Sequence, residues 1–256
     1  MSEAPLQVWL ERDGRLLRLR LDRPRANIVD GAMIAALQQA LDRHAGLRSL
    51  RAVLLDAAGP HFSFGASVEE HLPGRFADML AALHRLVLTL LGFPLPVLVA
   101  IRGQCLGGGL ELACAGSRLF AAPGAALGQP EIQLAVFAPA ASCLLPERVG
   151  RARAEELLFS GRSAGADEAL AMGLVDEVAE DPEAAALAWY QHHLEPRSAS
   201  SLRFAVQAVR DGVLPRIRQR LAEVEALYRD GLMASHDAVE GLQAFLDKRP
   251  ARWEDR

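Results

Sequence analysis

Two glutamates carry the clearest chemical suggestion in this chain. Glu111 closes the run Gly107-Gly108-Gly109-Leu110-Glu111, and Glu131 closes Gly128-Gln129-Pro130-Glu131. Consecutive glycines remove every Cβ that would hold a ligand away from the backbone N–H groups. Where such a run leads from a strand into a helix, the first amides have no intrahelical partner, and with the positive end of the helix dipole they stabilise charge developing on an oxygen. A carboxylate at that spot can move protons at the activated atoms. The same run also suits a tight turn between a strand and a helix, with Glu111 solvated in the first turn. Glu131 stands among Ile132, Leu134, Val136 and Phe137. Apolar surroundings raise a carboxyl pKa, which fits a proton donor near neutral pH. Folded beside Glu111, it forms a coupled pair, one member protonated and one ionised. Folded elsewhere, it is an ordinary loop acid.

Phe62-Ser63-Phe64-Gly65-Ala66-Ser67 holds small residues after another buried strand. It could bring a second N–H donor to the same oxygen, and losing one donor of such an oxyanion hole costs about 3–4 kcal/mol. Other motifs carry less. Gly161-Arg162-Ser163-Ala164-Gly165 matches the nucleophile elbow GxSxG, but that motif needs a preceding strand and Ala154 to Phe159 reads as a helix. Neither GxGxxG nor GxxxxGK[ST] occurs. His61, His71, His84, His192 and His193 show no ligand spacing, so they read as surface or loop histidines and no metal site is expected.

The elements that must position these residues follow from periodicity. Leu17, Leu19 and Leu21 alternate with Arg18 and Arg20, as in a half-buried strand. Asp30 can cap a helix whose apolar face is Ile34, Leu37 and Leu41. Ala52 to Leu55 reads as a buried strand ended by Gly59 and Pro60. The pattern predicts a helix over Phe76 to Leu91, a buried strand over Pro96 to Ile101, and a strand-to-helix turn over Gly103 to Gly109. The repeat of strand, strand, helix argues an α/β layered core. From Ala152 onward the pattern is almost wholly helical, with predicted helices over Ala154–Phe159, Ala166–Met172 and Pro182–His193 and more from Ser198 to Leu246. No low-complexity linker separates this tail from the rest.

Composition sets outer bounds. The chain has 256 residues, 51% hydrophobic and 23% charged, which fits a soluble globular protein and not a disordered one. A net charge of −4 gives no electrostatic case for nucleic acid binding. Lys248 is the only lysine. Cys105, Cys114 and Cys143 form no CxxC, as expected of free thiols in a reducing compartment. Met1 to Glu11 lacks the apolar core of a signal peptide, and Leu86 to Ala100 is broken by Gly92, Pro94 and Pro96. The expectation is a cytoplasmic protein with no membrane span.

Taken in order, Leu21-Asp22-Arg23-Pro24-Arg25-Ala26-Asn27, Phe62 to Ser67, Pro96 to Leu112, Gly128 to Glu131, Leu158 to Arg162 with Gly173-Leu174-Val175, and Phe245 to Arg249 resemble the crotonase (enoyl-CoA hydratase/isomerase) superfamily. The resemblance implies an α/β fold: a crotonase-type spiral of ββα units over residues 1–195, then a helical trimerisation region over 196–256. It implies an acyl-CoA thioester substrate, no separate cofactor because coenzyme A is part of the substrate, and a homotrimer or dimer of trimers. By position, the N–H groups of Ala66 and Gly108 would hold the thioester oxygen. Glu111 would take a proton from water and Glu131 deliver one to the acyl chain, or the reverse. Arg25, Ala26, Ser67 and Val68 match positions along the coenzyme A groove, with Phe245 and Lys248 closing it from this subunit or a neighbour. Two retained acids favour water addition over double-bond migration.

Departures narrow the substrate. Ser67 replaces the usual Asp, and Phe137-Ala138-Pro139-Ala140-Ala141-Ser142-Cys143 replaces a glycine-rich segment, so the acyl pocket should differ in shape. His61 to His71 with Arg102 to Leu106 is most similar to the cyclohexa-1,5-diene-1-carbonyl-CoA hydratases of the superfamily, which implies hydration of a cyclic dienoyl thioester in benzoyl-CoA degradation. The alternatives are hydration of linear 2-enoyl-CoA and a non-catalytic acyl-CoA-binding scaffold. Phe64, His84, Phe137 and Cys143 are the candidates for ring contact.

Overall fold

The computed structural model describes residues 4–256. Through its first half the chain repeats a coil of one long strand, one short extended segment and one helix. Strands β1 (Leu6–Glu11) and β2 (Leu16–Leu21) lead to helix α1 (Gly31–His44), and β3 (Ala52–Ala57) leads to α2 (Phe76–Leu91). Next come β4 (Val97–Ile101), β5 (Gln104–Leu106), α3 (Gly108–Cys114), β6 (Arg118–Ala121), β7 (Ala126–Gly128) and α4 (Pro139–Val149). The remainder is α5 (Arg151–Ser160), β8 (Ser163–Gly165), α6 (Ala166–Ala171), β9 (Glu177–Val178), α7 (Pro182–His193), α8 (Ala199–Arg210), α9 (Leu214–Ala226) and α10 (His236–Leu246).

The long strands form one sheet, ordered β1-β2-β3-β4-β6-β9, parallel except for the β1–β2 hairpin. The short ones form a second sheet, β5-β7-β8, which Ser63 extends by bridging to Cys105. Each coil therefore adds a rung to both sheets, and the turns beyond the short strands stack together. The α/β expectation and the ββα repeat both hold. Asp30 caps α1 as expected, its Oδ1 accepting from the N–H of Met33 at 2.9 Å. Helix α2 spans the residues its periodicity predicts.

The alternation in β2 misleads. Leu17, Leu19 and Leu21 enter the main core, but the other face is covered as well. There Leu16, Leu54, Leu98 and Phe120 pack against Tyr190 and Leu194 around α7. Arg18 is only 2% exposed, because Glu11, Asp56 and Glu183 surround it. A buried charge with several partners reads in sequence as a solvent-facing one. The tail beyond residue 196 joins the same core through Ile217, Leu221, Val224 and Leu242. Among the described residues no helix is long and apolar enough to cross a membrane.

Candidate active site

Sheet pairing brings the two glutamate motifs together. Leu106 of β5 pairs with Gly128 of β7, and the N–H of Gly107 donates to the carbonyl of Gly128 at 3.0 Å. Gly107 turns the chain with φ +51°, and α3 begins at Gly108, placing Glu111 in its first turn. Glu131 follows Gln129 and Pro130 in a 3-10 turn, Pro130–Leu134. A Cβ on Gly107 would lie 2.5 Å from Glu131 Oε1. The glycine is thus required both by backbone conformation and by the approach of the second acid.

The Phe62–Ser67 loop reaches the same point. Ser63 Oγ donates to the Asn27 carbonyl at 2.8 Å and accepts from the N–H of Gly65 at 3.0 Å. Gly65, at φ +104°, passes close over Leu106, and its carbonyl accepts from the N–H of Val29 at 2.9 Å. The Cβ position of Gly108 lies 3.1 Å from Ala66 N, so the two amides are neighbours. Neither N–H has a backbone acceptor among the turn, loop and cap bonds of the described residues. Two adjacent free donors at a helix start form an anion-stabilising cradle.

The two carboxylates differ in their surroundings. Glu111 is 3% exposed, and its Oε1 accepts from the N–H of Ala141, at the N-terminus of α4, at 2.8 Å. Burial raises its pKa, opposed by His84 and by the amides of Ala141 and Ala140. Glu131 has its pKa pushed up to about 8, by burial first and by the Glu111 carboxylate second. Turned so that its NH2 group faces Glu131, the buried Gln129 carboxamide donates to Oε2 at 3.0 Å and to Oε1 at 3.1 Å. Burial and the Glu111 carboxylate keep a proton on Glu131 near neutral pH. Tyr228, behind the site, has its phenol pushed up by burial and by both carboxylates.

A cavity of about 690 Å³ joins these groups. Ala66, Gly108, Glu111 and Glu131 line it, as do Ala26, Ser67, Val68 and Phe245. Arg25 and Lys248 lie outside its lining and are exposed. Of the ring-contact candidates, Phe64 and Phe137 form its wall, while His84 and Cys143 are buried outside its lining. Ser163 sits on β8, after helix α5 and away from the cavity, which removes the nucleophile elbow.

The histidine expectation needs correction. His84 is 3% exposed within α2, its Nδ1 2.5 Å from Glu225 Oε2, and His71 lines the cavity with Nδ1 against the Ser67 carbonyl. His84 falls on the apolar face of α2 with Leu80, Leu83 and Val87, a placement visible at helical spacing. Sequence reasoning also missed the Ala141 amide and the donating role of Gln129. The first is a backbone group thirty positions from Glu111, with no side-chain signal.

The family model described as enoyl-CoA hydratase/isomerase matches residues 11–256. The chain is 67% identical over 258 residues to the cyclohexa-1,5-dienecarbonyl-CoA hydratase of Thauera aromatica, covering 100% of both chains. A probable enoyl-CoA hydratase of Bacillus subtilis (strain 168) is 34% identical over 245 residues, covering 90% of this chain and 92% of that one. The crystal structure of an enoyl-CoA hydratase from Mycobacterium avium subsp. paratuberculosis K-10 superposes with a TM-score of 0.86 at 26% identity, covering 98% of this chain and 99% of that one.

Proposed function

The chain belongs to the enoyl-CoA hydratase/isomerase family, and from that premise we propose that it adds water to cyclohexa-1,5-diene-1-carbonyl-CoA, giving 6-hydroxycyclohex-1-ene-1-carbonyl-CoA. The observation that carries the chemistry is the meeting of Glu111 and Glu131 at one cavity beside the free amides of Ala66 and Gly108. The full-length likeness to the Thauera aromatica enzyme supports the cyclic substrate.

The steps follow from the groups present. The thioester oxygen accepts from Ala66 N–H and Gly108 N–H, which makes the β carbon, C2, electrophilic. Ionised Glu111 takes a proton from water as the water oxygen bonds to C2. The C1=C2 electrons move onto the thioester oxygen, forming a dienolate that extends through C6 to C5. Protonated Glu131 then delivers its proton to C5, the thioester carbonyl re-forms, and the ring double bond settles between C1 and C6. One C–O and one C–H bond have formed. Renumbered from C1 through this double bond, the product carries its hydroxyl at C6.

Ala26, Ser67, Val68 and Phe245 serve the thioester and coenzyme A side of the cavity. No cofactor beyond the substrate's own coenzyme A takes part in these steps. The proposed setting is cytoplasmic benzoyl-CoA degradation, after ring reduction. A homotrimer or dimer of trimers fits the exposed Phe204 and Val209 on α8, which subunit contact would cover. Initial rates with the cyclic dienoyl-CoA and crotonyl-CoA, measured side by side, test the substrate. The cyclic thioester is expected to react at least about tenfold faster, and a preference for crotonyl-CoA overturns the assignment.

A further inference from the structure

Close to the glutamate pair, His84 Nε2 is a fully buried polar atom without a hydrogen-bond partner among the described residues. His84 lies on α2 beside Leu83 and one turn from Leu80, both of which wall the cavity. An imidazole among leucines costs free energy unless its nitrogens are engaged. Here only Nδ1 is engaged, at 2.5 Å from Glu225 Oε2, delivered by α9. A carboxylate on one nitrogen fixes the ring plane and determines where the other nitrogen faces.

Helix α2 packs on α3, which carries Glu111. His84 and the amides of Ala141 and Ala140 oppose the effect of burial on Glu111, whereas Glu131 is held up by burial and by Glu111 itself. The two acids are chemically alike and close enough to compete for one proton. The His84–Glu225 unit contributes an asymmetry that the pair lacks by itself.

We propose that His84, clamped by Glu225, is a positioning residue that directs the base role to Glu111 and leaves the acid role to Glu131. The inference rests on the hydratase reading of the two glutamates. The titratable groups facing His84 are Glu225 from α9, Glu111 from α3 and His71 from the 3-10 turn Glu69–His71. Helix α1 presents neutral Gln38, which bonds Thr89 of α2.

The test uses the full chain labelled with [δ-13C]glutamate, with the Glu111 resonance identified by its loss in Glu111→Gln. In His84→Gln the Glu111 midpoint is expected to rise by at least about one pH unit, and the acidic limb of kcat/KM to move up with it. At neutral pH kcat is expected to fall with KM unchanged. Glu225→Gln keeps a side chain of the same size and should shift both readouts in the same direction by less. An unmoved Glu111 midpoint in the two variants overturns the proposal, even if both lose thermal stability, because a purely structural role would leave that midpoint in place. Absence of thioester hydration by the wild-type chain would instead overturn the hydratase reading and, with it, the division of base and acid roles.

Discussion

Behind the large sheet, Arg18 and Arg20 of β2 converge on Asp56 of β3 and Glu183 of α7. Arg18 reaches Asp56 at 2.7 Å, and Arg20 grips the same carboxylate with two bonds of 2.7 and 2.8 Å. The Arg18 guanidinium also lies 4.9 Å from the centre of the Trp9 ring. In the cavity, Glu111 is buried as deeply and Glu131 is half-buried, yet their direct partners are backbone N–H groups and a carboxamide. Every acid in the first cluster faces a cation. The acids in the second have no cation in hydrogen-bond contact, and burial raises both their pKa values. A carboxylate matched with arginine holds the fold together, while one left with weaker donors can exchange a proton near neutral pH.

Removing the second cluster should abolish chemistry and spare the fold. Glu111→Gln and Glu131→Gln are each expected to lower kcat roughly 10³-fold, about 4 kcal/mol of transition-state stabilisation, with circular dichroism unchanged. Turnover within tenfold of wild type in either variant would break the contrast. Removing a member of the first cluster should do the opposite. Asp56→Asn is expected to cost about 2–3 kcal/mol in urea unfolding, below the usual penalty for breaking a buried pair because Glu11 and Glu183 still flank Arg18. Its kcat per folded molecule should stay at the wild-type value.

A smaller effect sharpens the comparison further. The folded-state pKa of Glu131, about 8, lies above the usual 4.5, so ionisation opposes folding. Its stabilising protonated form is fully present below the usual carboxyl range, and that contribution is lost as pH rises from there through about 8. Glu131→Gln removes the loss and should raise Tm at pH 8.5 by about 2–4 °C. A lower Tm would mean that the site is not held at the expense of stability.

The sequence announced the two sites unequally. Glycine spacing, helix periodicity and the Asp30 cap are local signals, and they placed α1, α2, the turn into α3 and both glutamates. The buried arginine cluster was misread, because alternation reports one covered face and cannot show that α7 covers the other. His84 was misread because a polar residue on an apolar helix face looks misplaced until Glu225 arrives from a helix 141 positions later. The Ala141 amide was invisible, since a backbone donor has no residue type to notice. Local patterns marked the residues that meet at the cavity; the groups packed against them come from distant coils.

The pH dependence of kcat/KM with cyclohexa-1,5-diene-1-carbonyl-CoA tests most directly the claim that an unmatched buried carboxyl carries the proton, because it reports ionisations of the free enzyme. Above the acidic limb set by Glu111, the profile is expected to show one falling limb with its midpoint near 8, where Glu131 loses its proton, and to lose that limb in Glu131→Gln. A wild-type profile that stays level from pH 7 to 10, or a limb near 8 that survives in Glu131→Gln, would contradict it.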